Sequence, residues 1–320
     1  MVAKLHYEAD MSQVEIARKL GISTATVSRL LQRARVLGIV KIEVLDLVSP
    51  AGLTQELIEA LSLKRAAVID TPSTGVLGAL ARPLGDLLKE EGLAAGSVIG
   101  IGWGRAIREV IAAGLPRIPG IIAVALNGGL QQSAPHFQIS EFVRQAADQL
   151  GGSAHFLHAP YLSSAELKDA FLADAFVQET TKLWDRLDCA IVGIGLPHAI
   201  NPPEASAATV NERAIGGAVG DVIRHYVDIN GKLLSWDGEE RMIAASSQQL
   251  CKAKLSIGVA ATVEKAAGII GAVRSGMINS LVTDANTCIA ILNLLQQNGP
   301  SQGAEKQTKA KRNKFLKKIS

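Results

Sequence analysis

Long apolar runs are missing from this sequence. None reaches the roughly 20 residues that a membrane-crossing helix needs, and the N-terminus carries no signal-peptide pattern. The chain is therefore expected to work in the cytoplasm, away from any membrane. Cysteine is scarce: Cys189, Cys251 and Cys288 are odd in number and far apart. That excludes a disulfide framework and fits buried free thiols in a reducing compartment. Histidine offers no HExxH and no close pair on one helix face, and zinc-ligand spacing is absent, so neither a metal nor a cofactor is expected. Aromatic residues make up only 4% of a chain that is 48% hydrophobic, so Gly, Ala, Ile, Leu and Val dominate its apolar content. That mixture favours buried parallel strands alternating with helices, and 320 residues favour two domains.

Charge is unevenly spread. The formal net charge is +3, but the tail KQTKAKRNKFLKKIS (306–320) holds seven Lys/Arg and no acid, leaving about −4 on residues 1–305. Preceded by QQNGPSQGAE, residues 298–320 read as a basic flexible extension.

The first 46 residues have a different character. In MSQVEIARKLGISTATVSRLLQRARVLGIVKIEV (11–44), Ser12 and Glu15 have the spacing of a capping box. Val14, Ile16, Ala17 and Leu20 follow as an apolar face, and Gly21 ends that helix. Ser23 is the next N-cap, and Val27, Leu30, Leu31 and Ala34 repeat at helical spacing before Gly38. Ala17, Gly21 and Val27 stand where a helix-turn-helix needs a small residue, a turn and a filled angle. Ser23, Thr24, Ala25, Ser28, Arg29 and Gln32 then look outward, toward base edges in a major groove, with Arg33 and Arg35 nearer phosphates. Seven Lys/Arg against four acids in residues 1–45 suit double-stranded DNA. IVKIEV reads as a strand, a wing beside the helices. The alternative is a plain two-helix hairpin on the edge of a larger domain.

Residues 52–297 read as an α/β domain. RAAVID is a strand, and residues 75–92 are helical despite Pro83. GSVIGIGWGRAIREVIAAG runs from an apolar strand through a Gly-x-Gly turn into an amphipathic helix, a geometry suited to anions. Strand–loop–helix units recur from 121, 189, 254 and 278, which implies an open, doubly wound, mostly parallel sheet. Loops 102–106, 127–132, 193–198 and 260–265 would converge outside the carboxyl ends of its strands, where ligands bind.

The segment 7–44, GIGWGRAI, AVGD, VEKAAGI and INSLVTDANT together resemble the SorC family of bacterial sugar-responsive transcriptional regulators over about residues 1–297. The resemblance implies a DNA-binding head and an effector domain similar to phosphosugar isomerases, usually without turnover. It also implies a homo-oligomer, dimer or tetramer, and a sugar, polyol or sugar-phosphate effector. Carried over by motif, the effector site comprises the turn Gly102, Gly104 and Arg105, the loop Asn127, Gly128 and Gly129, the carboxylate Asp221 and the lysine Lys265. Structural alternatives stand beside these: Asp221 as N-cap of a helix VIRHY, Lys265 as a solvated helix residue, Arg105 as a surface arginine. The sequence departs from the family in three places. Ala106 replaces a hydroxyl, Ala261 and Thr262 replace two glycines, and Thr24 stands where an arginine is frequent. The first two remove features that hold a phosphate closely. The competing function is a sugar-phosphate isomerase-like enzyme fused to a DNA-binding head, with Asp221 and His198 as its acid/base pair.

Overall fold

The structure is a computed structural model that describes residues 1–7, 11–36, 40, 51–70, 74–130, 138–197 and 209–297. The expected wing strand, Gly38, His198 and the basic tail lie outside the described residues. Two compact units divide the chain, Met1–Asp46 and Leu47–Ser320.

Among the described residues the first unit has three helices: α1 (Val2–Tyr7), α2 (Gln13–Leu20) and α3 (Thr24–Val36). Local chemistry sets their ends. The Ser12 amide donates to Glu15 Oε2 at 2.8 Å and the Glu15 amide to Ser12 Oγ at 3.2 Å, which closes the capping box. Gly21 takes φ +66 and returns its N–H to the Ala17 carbonyl. The Thr26 amide donates to Ser23 Oγ at 3.1 Å, so Ser23 caps α3. Ile16, Ala17, Val27 and Leu31 form the core, with Val2, Ala3 and Leu5 of α1 packed against it. Two residues expected on that apolar face are not there: Val14 is 57% and Leu30 41% exposed. The core is completed instead by the α1 residues Val2, Ala3 and Leu5.

The second unit is built on a seven-stranded sheet whose pairings are all parallel. Its strands are β1 (Arg65–Ile69), β2 (Val98–Ile101), β3 (Ile122–Ala125), β4 (Ser153–His155), β5 (Cys189–Gly193), β9 (Leu255–Val259) and β10 (Ser280–Asp284). Between β5 and β9 the chain makes a separate antiparallel sheet, β6 (Gly220–Val222), β7 (His225–Val227) and β8 (Leu233–Leu234). The large sheet runs β1-β10-β9-β5-β2-β3-β4. Connections after β2 step outward to β3 and β4, while those after β5 step the opposite way to β9 and β10. With right-handed crossovers, the two runs of helices lie on opposite faces. Strands covered on both faces need no polar side, so β2 and β9 are apolar throughout or nearly so and fully buried. The direction of winding reverses between β2 and β5, and in open sheets of this kind ligands bind outside the carboxyl ends of the strands at such a reversal.

Several expectations change in detail. The helical stretch around Pro83 is two helices, Val76–Ala79 and Ala81–Glu90. Pro83 falls in the first turn of the second, where its missing N–H has no intrahelical partner to lose. Strand β4 had no sequence signal strong enough to predict it. VIRHY is not a helix: its residues form the hairpin β6–β7, because Val222 pairs with His225 across a two-residue turn. Cys189 and Cys288 are buried free thiols, but Cys251 is exposed at the helix Ser247–Lys252. Among the described residues no group of His, Cys, Asp and Glu is arranged to hold a metal. Nor is any described helix long and apolar enough to cross a membrane.

Candidate functional site

At the winding reversal between β2 and β5, the Gly-x-Gly turn follows the end of β2. Gly104 takes φ +120, open only to glycine, and starts the helix Arg105–Ala113. A side chain at Gly102 would press on Ile223 and Val192 at 3.2–3.3 Å, so this glycine serves packing. Arg105 opens the helix with an exposed side chain.

Opposite stands the end of β5. Lys265 lies in the turn between a short 3₁₀ segment, Val263–Lys265, and the helix Ala266–Arg274. Its Nζ turns back to donate to the Ile194 carbonyl at 2.7 Å. The side chain is partly buried and is not a solvated helix residue. Burial first, and then the neighbouring Arg105 cation, push its pKa down to about 8, against the pull of Asp221. Asp221 is buried in β6, bridged antiparallel to Gly195, whose N–H donates to the Asp221 backbone carbonyl at 2.9 Å. A Cβ on Gly195 would sit 1.9 Å from Asp221 Oδ1, so only glycine lets the carboxylate lie there. Its other oxygen, Oδ2, accepts from the Arg224 amide at 2.9 Å. That bond braces an unusual turn in which Ile223 and Arg224 both have positive φ, at 42° and 71°. The β-branched Ile223 is strained in this conformation.

The loop 127–129 is stitched rather than open. The Gly128 N–H donates to the Ile243 carbonyl and the Gly129 N–H to the Ala159 carbonyl, both at 2.9 Å. A side chain at Gly128 would strike the Pro160 backbone at 2.5 Å. These amides are spent, so the loop's two glycines shape a wall and leave no free amides there. Asn127 is wholly buried, and its Oδ1 has no hydrogen-bond partner. His198 lies outside the described residues, so its proposed pairing with Asp221 has no geometry.

A buried cluster beside the Gly-x-Gly turn was not anticipated. Glu212 Oε1 accepts from Tyr226 OH at 2.7 Å and Tyr161 OH at 3.3 Å, and pairs with Arg224 Nη1 at 3.2 Å. The Arg224 guanidinium also lies 5.7 Å from the Trp103 ring centre, and Trp103 meets Tyr161 edge-on at 5.1 Å. Burial works to raise the Glu212 carboxyl, but Arg224, the Thr209 amide and Tyr226 outweigh it and hold it below its usual range. Burial, with Glu212 beside it, pushes the Tyr161 hydroxyl well up. The other Glu212 oxygen, Oε2, accepts from the Thr209 amide at 2.7 Å, a capping box on the helix Val210–Arg213. The Thr-x-x-Glu spacing of Thr209 and Glu212 was legible as a cap. Its coupling to Arg224, Tyr161 and Trp103 was not, because those partners are distant in sequence.

In the head, Ser23, Thr24, Ala25, Ser28, Arg29, Gln32 and Arg33 are all exposed, while Val27, Leu31 and Ala34 between them are buried. Arg29 Nε donates to the Ala25 carbonyl at 3.4 Å, which leans its side chain along the exposed face of α3.

A capped three-helix head and a parallel α/β unit with polar side chains at its switch point define a ligand-responsive transcriptional regulator. Comparison with known proteins agrees. The Sugar-bind family, a sugar-binding domain, matches residues 46–293, and sigma-70 region 4 matches residues 4–37. The chain is 33% identical to the sorbitol operon regulator of Klebsiella pneumoniae over 91% of its own length and 96% of the relative's. It is 28% identical to the deoxyribonucleoside regulator of Bacillus subtilis over the same shares. The crystal structure of the full-length Klebsiella sorbitol operon regulator superposes with a TM-score of 0.69, at 32% identity, over 92% of this chain and 97% of that one. The chain belongs to the SorC family of sugar-responsive transcriptional regulators. Its relatives are named regulators, which sets aside the isomerase-like enzyme.

Proposed function

We propose that operator binding through α3 is controlled by a sugar, polyol or sugar-phosphate effector held in the β2/β5 crevice. In this reading Lys265 donates to ligand oxygens, Asp221 accepts from hydroxyls, and Gly102, Gly104 and Arg105 form the near wall. Asn127, Gly128 and Gly129 form the far wall, and His198, which follows β5 in the sequence, is assigned to the same set. Ser23, Thr24, Ala25, Ser28, Arg29, Gln32 and Arg33 face the operator. The single observation that supports this most is the meeting of opposite charges at the end of β5. Lys265 and Asp221 reach successive residues, Ile194 and Gly195, from separate elements. A charge pair that donates and accepts side by side matches a hydroxyl-rich ligand, since each hydroxyl does both. The protein acts in the cytoplasm as a dimer or tetramer. The effector shifts the population between operator-competent and operator-incompetent arrangements of that assembly.

A thermal-shift screen of sugars, polyols and their phosphates tests the proposal. A ligand at 100 times its Kd adds about 2.7 kcal/mol to apparent stability. Hits should vanish in Lys265→Met and should alter operator affinity in the parent. A hit that survives Lys265→Met unchanged places the effector elsewhere.

A further inference from the structure

We infer that the buried Glu212–Arg224 pair is a positioning device for the effector site: it holds the turn that aims Asp221, and through Trp103 and Tyr161 it ties that turn to the site's other two loops. The inference rests on the effector binding among Asp221, the Gly-x-Gly turn and the loop 127–129, as proposed above. Glu212 and Arg224 are not themselves among the residues proposed to touch it.

Arg224 makes the first link. Its N–H donates to Asp221 Oδ2 at 2.9 Å, so the orientation of that carboxylate follows the turn at Ile223 and Arg224. Both turn residues have positive φ, where two-residue hairpins ordinarily use Asn or Gly. Such strain persists only where the surroundings over-determine it. They do so here. Ile223 is buried against Gly102, where an added Cβ would come 3.2 Å from its Cγ2. The Arg224 guanidinium lies beside the next residue, 5.7 Å from the Trp103 ring centre. Its Nη1 pairs with Glu212 Oε1 at 3.2 Å and donates to Tyr226 OH at 3.3 Å.

Tyr161 makes the second link. Its hydroxyl donates to Glu212 Oε1 at 3.3 Å, and its ring lies 6.0 Å from the Arg224 guanidinium and edge-on to Trp103. Its N–H donates to the Gly129 carbonyl at 2.8 Å. Its carbonyl accepts from the Ile243 N–H at 2.9 Å, and the Ile243 carbonyl in turn holds the Gly128 N–H. A single carboxylate oxygen thus gathers Arg224, Tyr226 and Tyr161, and through them segments 102–104, 127–129 and 221–224. For stability alone, apolar residues of similar volume would serve as well, because desolvation cancels much of a buried pair's attraction. What the network adds is one defined geometry, which a site built from separate loops requires.

The test uses the full chain. Glu212→Gln keeps an acceptor for the Thr209 amide and removes the charge facing Arg224, whereas Thr209→Ala weakens the same helix cap and leaves the pair alone. Amide hydrogen exchange by mass spectrometry compares them without ligand. Glu212→Gln should speed exchange roughly tenfold in segments 102–106, 127–130 and 220–226 and leave β1 and β10 unmoved. Thr209→Ala should speed only 209–214. Tyr161→Phe/Tyr226→Phe removes both hydroxyls from Glu212 and should give the Glu212→Gln pattern more weakly; it carries the test if Glu212→Gln does not fold. Calorimetry with sorbitol, sorbitol 6-phosphate, ribose and ribose 5-phosphate then reads affinity. For any of these that the parent binds, Glu212→Gln should raise Kd at least roughly tenfold. Combined with Asp221→Asn its effect should be less than additive, since both act on one carboxylate. Exchange that is unchanged, rises uniformly or rises in 209–214 alone overturns the inference, as does an unchanged Kd or a fully additive loss. If the three segments loosen while the parent binds none of the compounds, the positioning stands and the effector reading above is what fails.

Discussion

Replacing Lys265 by methionine keeps most of the side chain's volume and removes its charge. The lysine's pKa lies at about 8 in the folded protein against an ordinary 10.5. At 1.36 kcal/mol per unit, holding that charge in the crevice costs on the order of 3 kcal/mol. The substitution also deletes the bond from Nζ to the Ile194 carbonyl, worth about 1.5–3 kcal/mol for a charged donor. At neutral pH the two effects largely offset, and the stability change is expected within about 1.5 kcal/mol of zero. The pH dependence is cleaner. Below the folded pKa the lysine is charged in both states and its cost is fully present. Between about 8 and 10.5 the folded state binds fewer protons than the unfolded one, so parent stability rises with pH there. From pH 7 to 9.5 the parent should therefore gain about 2 kcal/mol on Lys265→Met. Urea unfolding followed by tryptophan fluorescence reads this directly. Trp103, Trp184 and Trp236 all lie in the second unit, so the head does not contribute to the signal. A parent-minus-variant difference that stays flat over this range would make Lys265 a solvated side chain, and the crevice chemistry would fall with it.

Arg29→Ala should weaken specific operator binding by about 1–3 kcal/mol, with helix content and oligomeric state unchanged, as read by operator titration and circular dichroism. Glu212→Ala strands the Arg224 guanidinium in a buried site and should cost about 3–5 kcal/mol in urea unfolding; a loss below about 1 kcal/mol would mean the pair is solvated. The same carboxylate should make the protein acid-sensitive. Its depressed pKa contributes stability that is present above its ordinary value of 4.5 and lost as pH falls below it, a slope the variant should lack. Deleting 306–320 removes seven positive charges and should leave melting temperature and effector affinity unaltered, at most reducing salt-sensitive, sequence-independent DNA affinity. A collapse in melting temperature would show the tail to be docked.

Much of this protein was legible without coordinates, for a physical reason. The Ser12–Glu15 box, the Gly21 turn and the Ser23 cap are bonds between residues three or four apart, so spacing alone specifies them. Strands β2, β3, β5, β9 and β10 are apolar runs that end at glycine or polar loops, and their repetition implied a parallel sheet. Tertiary structure decided what distant segments do to one another. Only the strand order placed the winding reversal between β2 and β5 and brought Gly102–Arg105 opposite Ile194 and Gly195. Helical spacing put Val14 and Leu30 on an apolar face, yet α1 residues complete the core and both stay exposed. VIRHY has no local feature that forbids a helix. It turns as a hairpin because Asp221 braces Arg224 and the β6 edge bridges to Gly195. Lys265 and Thr262 show the same division most sharply. Their positions were readable as a ligand-facing loop, but burial, the reach to Ile194 and the backbone strain arise only when β5, β9 and β10 pack side by side.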